Sequence, residues 1–312
     1  MDKITIVGAG RVGESTAQFM AAKDMCREIA LVDINQGAAE GAALDVQEVA
    51  PLFEYDTRLY GGSDSSLMAD SDLVIVTAGL PRRPGMSRED LLTSNINIVD
   101  GIIDNILRYA PDCLILFVTN PVDVVTYYAW KKTGWPRNRI FGQAGVLDSS
   151  RMASFIAMET GYSSLDINTM VLGGHGDTMV PMHRYTTIAG IPISNFLSRE
   201  KFDEIAERTR HGGAEILALR QNSSAYDAPA ASVAEMVDAI VHDRKRILPT
   251  VSVLEGEYGY EDIAIGVPAV LGKSGMEEII LLDMNDEETT MFHNSANIVQ
   301  KHIDLMKQIK GL

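Results

Sequence analysis

The feature that most restricts the fold is a glycine-rich turn near the start of the chain, between a short strand and a helix. Residues 4–7 form an apolar, β-branched run, the sequence Gly8-Ala9-Gly10-Arg11-Val12-Gly13 follows at once, and a helix-compatible stretch extends from Glu14 to Lys23. In this setting, backbone N–H groups at the start of the helix can hold a pyrophosphate. The pattern predicts a βαβ unit that binds a dinucleotide through residues 8–13.

An acid at the end of the second predicted strand strengthens this interpretation. The strand begins at Glu28 and ends at Asp33, which lies 20 positions after Gly13 (33 − 13). A carboxylate at this spacing accepts hydrogen bonds from the adenosine ribose and repels an added 2′-phosphate, which favours NAD over NADP. The alternative is an acid that only closes a turn.

Strands and helices alternate through the first half of the chain. The apolar runs after the first two are 57–60, 72–77, 113–118 and 139–141, and a long helical stripe is formed by Leu92, Ile96, Val99, Ile103 and Ile106. Such alternation predicts an α/β fold with an N-terminal doubly wound parallel Rossmann sheet of six strands. We assign this domain to residues 1–145, with ligands at the carboxyl ends of the strands.

The second half has a different pattern. A hairpin-like pair at 179–188 and 191–193 precedes helical stretches at 199–220 and 228–246, strand-like runs at 247–254, 263–271 and 277–282, and a last helix at 286–309. This order predicts a C-terminal α+β substrate domain over residues 146–312. The active site is then expected in the cleft between the two domains.

An arginine-rich loop follows the fourth predicted strand. Arg82, Arg83 and Arg88 lie in the sequence Leu80-Pro81-Arg82-Arg83-Pro84-Gly85-Met86-Ser87-Arg88. Arginine suits the two-pronged capture of a carboxylate, and a Pro/Gly loop can close over a substrate. A solvated basic surface loop is the alternative, but three arginines together are unusual in a chain of net charge −16.

His175 is the candidate proton-transfer residue, since it lies between glycines in Gly173-Gly174-His175-Gly176-Asp177 at the end of an apolar run. Upstream, Asp148 and Arg151 lie in one predicted helix; Arg151 could grip a substrate carboxylate while Asp148 orients the imidazole. From local sequence alone, Asp148 could equally be a helix N-cap, Arg151 a surface residue and His175 a loop histidine. Asp177 is a rival partner for His175.

Composition excludes several other kinds of protein. A net charge of −16 over 312 residues disfavours nucleic acid and anionic membranes as partners. No run approaches the roughly 18 apolar residues of a membrane span, and no signal segment is recognised, so a cytoplasmic protein is expected. The six histidines and two cysteines show no metal-ligand spacing, and we predict no metal.

These motifs together resemble the lactate/malate dehydrogenase superfamily, most closely the lactate-dehydrogenase-like malate dehydrogenases. The resemblance runs nearly end to end and rests on GAGRVG at Gly8, the acid at Asp33, AGLPRRPGMSR from Ala78, TNPVD from Thr119, GVLDSSR from Gly145 and GGHGD from Gly173.

The resemblance implies specific roles for the site residues. Arg88 would polarise the substrate carbonyl, Arg151 would bind the first carboxylate, and His175 with Asp148 would move the proton. Arg82 occupies the specificity position, and Asn120 would contact both the substrate and the nicotinamide side. Asn95, Val118, Thr119 and Asn120 would line the NAD site.

The implied reaction is the reversible oxidation of (S)-malate to oxaloacetate, with NAD as cofactor and a small dicarboxylate as substrate. One alternative is a dehydrogenase of lactate or another 2-hydroxy acid. Another is a non-catalytic dinucleotide-sensing protein, which the joint presence of His175, Asp148, Arg88 and Arg151 disfavours. The resemblance also implies a homo-oligomer, with a tetramer favoured over a dimer.

Overall fold

The computed structural model describes residues 1–80 and 88–312, with Arg88 lacking a described side chain. The expectations for Arg82, for Arg83 and for the Arg88 side chain therefore lie outside the described residues. Within the part of the chain that is described, no helix is both long and apolar enough to cross a membrane.

The amino-terminal half alternates strands and helices as predicted. Its strands are β1 (Lys3–Val7), β2 (Glu28–Val32), β3 (Arg58–Gly62), β4 (Leu73–Val76), β5 (Leu114–Phe117) and β6 (Ile140–Gln143). Its helices are α1 (Arg11–Ala21), α2 (Gln36–Phe53), α3 (Arg88–Tyr109) and α4 (Val122–Thr133), and α5 (Gly145–Thr160) leads into the second half.

The carboxyl-terminal half mixes short strands, helices and a long antiparallel unit. Its strands are β7 (Ile167–Asn168), β8 (Val171–Leu172), β9 (Val180–Pro181), β10 (Thr187–Ile188), β11 (Ile191–Pro192), β12 (Arg246–Glu255), β13 (Glu261–Gly272) and β14 (Gly275–Ile279). Its helices are α6 (Arg199–Arg220), α7 (Asp227–Val241) and α8 (Asp286–Lys310).

One large sheet joins the two halves. Its order is β14-β13-β12-β6-β5-β4-β1-β2-β3, in which β1 to β6 are parallel and β12 to β14 are antiparallel. The order of the first six strands is that of a doubly wound dinucleotide-binding sheet, so the predicted fold class is confirmed. Strands β4 and β5 are buried along their whole length, which explains why they are continuously apolar rather than alternating.

The long strands of the second half extend the first sheet, because β12 pairs with β6. Two expectations for the second half need correction. The hairpin is shorter than predicted, since only β10 and β11 pair and a 3₁₀ turn at His183–Tyr185 interrupts the first run. Helix α7 ends at Val241 rather than Arg246, because Asp243 and Lys245 adopt positive φ angles of 50° and 53° before β12 begins.

Candidate active site

Two glycines of the first turn are needed for close packing, and a third leaves open space for a ligand. Gly8 has a φ of +110°, and a Cβ added there would lie 2.6 Å from the Thr77 hydroxyl oxygen. A Cβ at Gly13 would lie 1.9 Å from the Gly8 carbonyl oxygen. Gly8 therefore lets the end of β1 approach the end of β4, and Gly13 lets α1 begin close to β1. Gly10 is exposed and has no neighbouring atom within 4 Å of its added Cβ. Its open surface adjoins the unpaired N–H groups of the first turn of α1, an arrangement that fits a pyrophosphate.

Asp33 closes the turn beside this site. Its Oδ2 accepts the Ala9 N–H at 2.8 Å, and its Oδ1 accepts the Asn35 N–H at 2.9 Å. The carboxylate therefore makes the turn contacts considered as an alternative at the sequence level. Each oxygen retains a second acceptor position, so the same half-buried group also suits a ribose hydroxyl.

The ends of β4 and β5 are tied together by Asn95 and Thr119. The Asn95 amide donates to the Asn120 carbonyl at 2.7 Å and the Leu80 carbonyl at 3.2 Å, and its oxygen accepts the Leu80 N–H at 2.7 Å. Asn95 is thus buried, and both of its side-chain N–H groups donate to backbone carbonyls. The Thr119 hydroxyl lies 2.7 Å from the Ala78 carbonyl oxygen, whereas Asn120 is exposed and Val118 half-buried.

A single carboxylate joins the candidate proton-transfer residue to the candidate anion-binding residue. Asp148 Oδ2 lies 2.9 Å from His175 Nδ1, and its Oδ1 accepts a hydrogen bond from the Arg151 guanidinium at 3.3 Å. The Asp148 side chain is 1% exposed, while those of Arg151 and His175 are 10% and 22% exposed. The acid is therefore buried, whereas both groups that it contacts are partly exposed.

The surroundings of His175 favour its charged form. Burial by itself lowers the pKa of the imidazole, but the charge and the hydrogen bond of Asp148 outweigh it, and Asp123 adds a further negative charge. The pKa of His175 is therefore raised above its ordinary value. Because Nδ1 faces Asp148, Nε2 is the ring nitrogen left to exchange a proton with a ligand.

The loop that carries His175 is fixed by close backbone contacts. Gly173 and Gly266 of β13 exchange N–H to carbonyl hydrogen bonds at 2.9 and 3.2 Å, and a Cβ at Gly266 would lie 2.6 Å from the Gly173 carbonyl oxygen. The Gly174 N–H donates to the Ser295 hydroxyl of α8 at 2.8 Å. These glycines are therefore required for packing and do not make the loop loose.

A cavity of about 260 Å³ opens beside His175. Polar side chains from several elements line it together with apolar side chains of α3, α4 and α8; the polar ones besides His175 are Glu89, Asn120, Asp123, Asp177, Thr178 and His302. Of the predicted site residues, His175 and Asn120 face this cavity, whereas residues 8–13 and Asp33 lie at the carboxyl ends of β1 and β2.

Sequence reasoning gave no role to three residues that the structure brings into the site. Asp123 contacts the His175 backbone, Ser295 contacts Gly174, and Gly212 of α6 lies against the Arg151 side chain. An acid within the apolar run Val122-Asp123-Val124-Val125 was a signal available in the sequence. The Gly212-Gly213 pair inside a helix was another, because glycine is a poor helix former.

Family models match both halves of this architecture. The model described as lactate/malate dehydrogenase, NAD binding domain, matches residues 2–142. The model described as lactate/malate dehydrogenase, alpha/beta C-terminal domain, matches residues 145–310.

The chain belongs to the lactate/malate dehydrogenase family.

Individual members of the family are similar over almost the whole chain. A malate dehydrogenase of Thioalkalivibrio sulfidiphilus is 62% identical over 307 residues, covering 98% of this chain and 100% of the relative. One of Nitrosococcus oceani is 60% identical, covering 96% of both chains. The solved structure of malate dehydrogenase from Picrophilus torridus superposes with a TM-score of 0.96 at 42% identity, covering 99% of this chain and 98% of that one. The predicted resemblance is thus confirmed, and so is the NAD cofactor, through the family's NAD-binding domain.

Proposed function

We propose that this member of the family is an NAD-dependent malate dehydrogenase that interconverts (S)-malate and oxaloacetate. The observation that supports it best is the Asp148 carboxylate, which contacts His175 with one oxygen and Arg151 with the other. A proton acceptor and a carboxylate-binding group are thereby held side by side, as oxidation of a 2-hydroxy acid requires. The names of the relatives described above support malate as the substrate.

Proton transfer is the task of His175. In malate oxidation, its neutral Nε2 takes the proton of the C2 hydroxyl, and the Asp148 carboxylate stabilises the imidazolium that forms. In oxaloacetate reduction, the imidazolium returns that proton to the carbonyl oxygen. NAD, when bound, supplies the hydride acceptor for the C2 hydrogen.

Substrate binding is the task of the arginines. Only one Arg151 N–H is engaged by Asp148, so the rest of the guanidinium fork is available for the C1 carboxylate. We assign polarisation of the carbonyl to Arg88 and the second carboxylate to Arg82, as the resemblance implies. Both of these assignments concern side chains outside the described residues.

The cofactor is assigned to the turn that follows β1. Residues 8–13 would hold the pyrophosphate and Asp33 the adenosine ribose, with Val118, Thr119 and Asn120 on the nicotinamide side. Asn95 would act there indirectly, because its amide binds the backbone of Leu80 and Asn120. We keep the domain boundary at residue 145, between β6 and the body of α5.

We further propose a cytoplasmic homo-oligomer, most simply a tetramer. Large apolar side chains are exposed on α2 and near the end of α5; they are Leu44, Leu52, Phe53, Met158 and Leu165. Exposed apolar surface of this kind is typical of subunit interfaces. Cys26 and Cys113 are free and buried, which suits a reducing compartment.

The first prediction tests the activity and the role of His175. Purified protein with NADH should show absorbance decay with oxaloacetate and much less with pyruvate. His175→Asn should keep NADH binding, measured by fluorescence, and lose roughly 10² to 10⁴ in turnover, the usual contribution of a positioned proton-transfer group.

Faster turnover of pyruvate than of oxaloacetate would favour a lactate dehydrogenase. NADH binding without turnover of either substrate would favour the dinucleotide-sensing protein. Near-normal turnover of His175→Asn would show that the proton acceptor is another residue.

A further inference from the structure

Asp123 is a buried acid in contact with the loop of His175, and the mechanism above does not use it. It lies in the first turn of α4 and is 6% exposed. Its Oδ2 accepts the His175 backbone N–H at 3.2 Å, whereas its Oδ1 has no hydrogen-bond partner within the described part of the chain. Burying a carboxylate with so few hydrogen-bond partners lowers the stability of the fold. A role in function would explain why an acid stands at this position.

Asp123 is one of two side chains that accept hydrogen bonds from the backbone of the His175 loop. Gly174 donates its N–H to Ser295 of α8, and the next residue, His175, donates its N–H to Asp123 of α4. Two consecutive peptide groups are therefore held by two different helices. Because the ring of His175 is held separately by Asp148, both the backbone and the side chain of the histidine have an acidic partner.

Several other charged or titratable groups surround this acid. Asp148 and Arg151 approach from α5, and Glu89 of α3, Asp177 of the histidine loop and His302 of α8 line the cavity that Asp123 faces. Arg151 disfavours a positive charge on His175, whereas Asp148 and Asp123 favour it. Because Asp123 and Asp148 are buried, such charges act over several ångströms with less screening than at the surface.

We propose that Asp123 is a positioning residue for proton transfer, which fixes the backbone of His175 and uses its negative charge to favour the protonated imidazole. This inference rests on the proposed function, since it assumes that His175 exchanges the substrate proton. Burial raises the pKa of Asp123 to about 6, so its charge is present at neutral pH and disappears in mild acid. Above about pH 6, the charged Asp123 carboxylate therefore favours the imidazolium, which is the form of His175 that oxaloacetate reduction needs.

The second prediction follows from replacing the charge while keeping the hydrogen bond. In Asp123→Asn, the amide oxygen can still accept the His175 N–H, but the negative charge is lost. The apparent pKa of His175 should fall by roughly one pH unit, at the lower end of the shifts that neighbouring charges cause. Above the wild-type pKa, kcat/KM for oxaloacetate should drop by up to about tenfold, because less of the histidine is protonated. Below the new pKa, kcat/KM for malate should rise, because oxidation needs neutral imidazole.

The measurement is the pH profile of kcat/KM in both directions, for wild type and variant. Thr126→Val is a matched control, because Thr126 lies on the same helix and its buried hydroxyl also lacks a hydrogen-bond partner among the described residues, yet it has no charge. The control should keep the wild-type profile. Unshifted profiles in an active Asp123→Asn enzyme would overturn the inference and leave the function intact, whereas wild-type protein that binds NADH but turns over neither oxaloacetate nor pyruvate would overturn the function itself.

If Asp123→Asn does not fold, the wild-type protein still tests the inference. The imidazole ¹³C signal of His175, identified by its absence in His175→Asn, should titrate in two steps, one of them near pH 6 as Asp123 gains its proton. A single-step titration would show that the charge of Asp123 does not reach the ring and would overturn the inference.

Discussion

At the residue scale, the candidate site depends on how one carboxylate uses its two oxygens. Asp148 supports the imidazole of His175 and the guanidinium of Arg151 at once, and it is almost fully buried. Under the proposed function, a change in its position would therefore disturb proton transfer and substrate binding together.

The third prediction concerns substrate choice and belongs to Arg82. Oxaloacetate has one carboxylate more than pyruvate, and this group needs a partner when the site closes. In Arg82→Gln, loss of one member of a buried ion pair should cost about 3 to 5 kcal/mol, or roughly 10² to 10³·⁵ in kcat/KM for oxaloacetate. Pyruvate should become a better substrate, because it has no second carboxylate to pair with Arg82. In the wild-type enzyme, the closed site would bury Arg82 without a partner when pyruvate is bound, and Arg82→Gln removes that cost.

The measurement is kcat/KM for both substrates, with Arg83→Gln as the neighbouring control. An unchanged preference in Arg82→Gln together with a lost preference in Arg83→Gln would move the specificity role to Arg83.

At the element scale, helix α6 is shaped to make room for Arg151. A Cβ added at Gly212 would lie 2.3 Å from Arg151 Cδ and 2.7 Å from its Nε, whereas a Cβ at Gly213 would meet no atom within 4 Å. A glycine inside a helix costs about 1 kcal/mol relative to alanine. Steric space for the arginine is therefore a physical reason for Gly212 that does not apply to Gly213.

The fourth prediction compares alanine at these two positions. Gly212→Ala should displace Arg151, raise KM for oxaloacetate and lower kcat/KM by as much as about 10²-fold, the cost of an ångström-scale misplacement. Gly213→Ala should leave the kinetics unchanged and stabilise the fold by about 0.5 to 1 kcal/mol. Steady-state kinetics and thermal unfolding test both; equal kinetic effects of the two substitutions would contradict the assignment.

At the scale of the whole molecule, the nine-stranded sheet makes the two halves mechanically continuous. Strand β12 pairs with β6, and β13 in turn is bridged to the His175 loop through Gly173 and Gly266. The sheet that presents the dinucleotide turn therefore also supports the residues assigned to proton transfer. This continuity fixes the distance between the two parts of the site.

The fifth prediction concerns assembly. Light scattering should give about four times the chain mass of 34.0 kDa, since exposed apolar side chains on α2 and α5 are buried most simply between subunits. Leu52→Glu should weaken the assembly, because Leu52 is 80% exposed in the single chain and a charge would be buried at the interface. The control is Leu312→Glu at the exposed carboxyl terminus. A wild-type monomer at micromolar concentration would disprove the assembly.

Local patterns in the sequence were sufficient for the parallel half of the fold. All six strands, the turn at Gly8 to Gly13 and the bounds of α6 follow from the spacing of apolar residues and glycines, which act within a few positions of one another. The candidates His175, Asp148 and Arg151 also came from short motifs. Sequence could not choose between Asp148 and Asp177 as the neighbour of the His175 ring.

Only the tertiary structure decided which distant groups meet. The contact of Asp123 with His175 joins positions 52 residues apart, and the space left by Gly212 exists only because α6 crosses Arg151. The first sheet is likewise extended by β12 because β12 pairs with the edge strand β6, which belongs to the amino-terminal half. Periodicity along a chain specifies which face of an element is apolar, but the partner of that face is determined by packing and burial, which no local pattern contains.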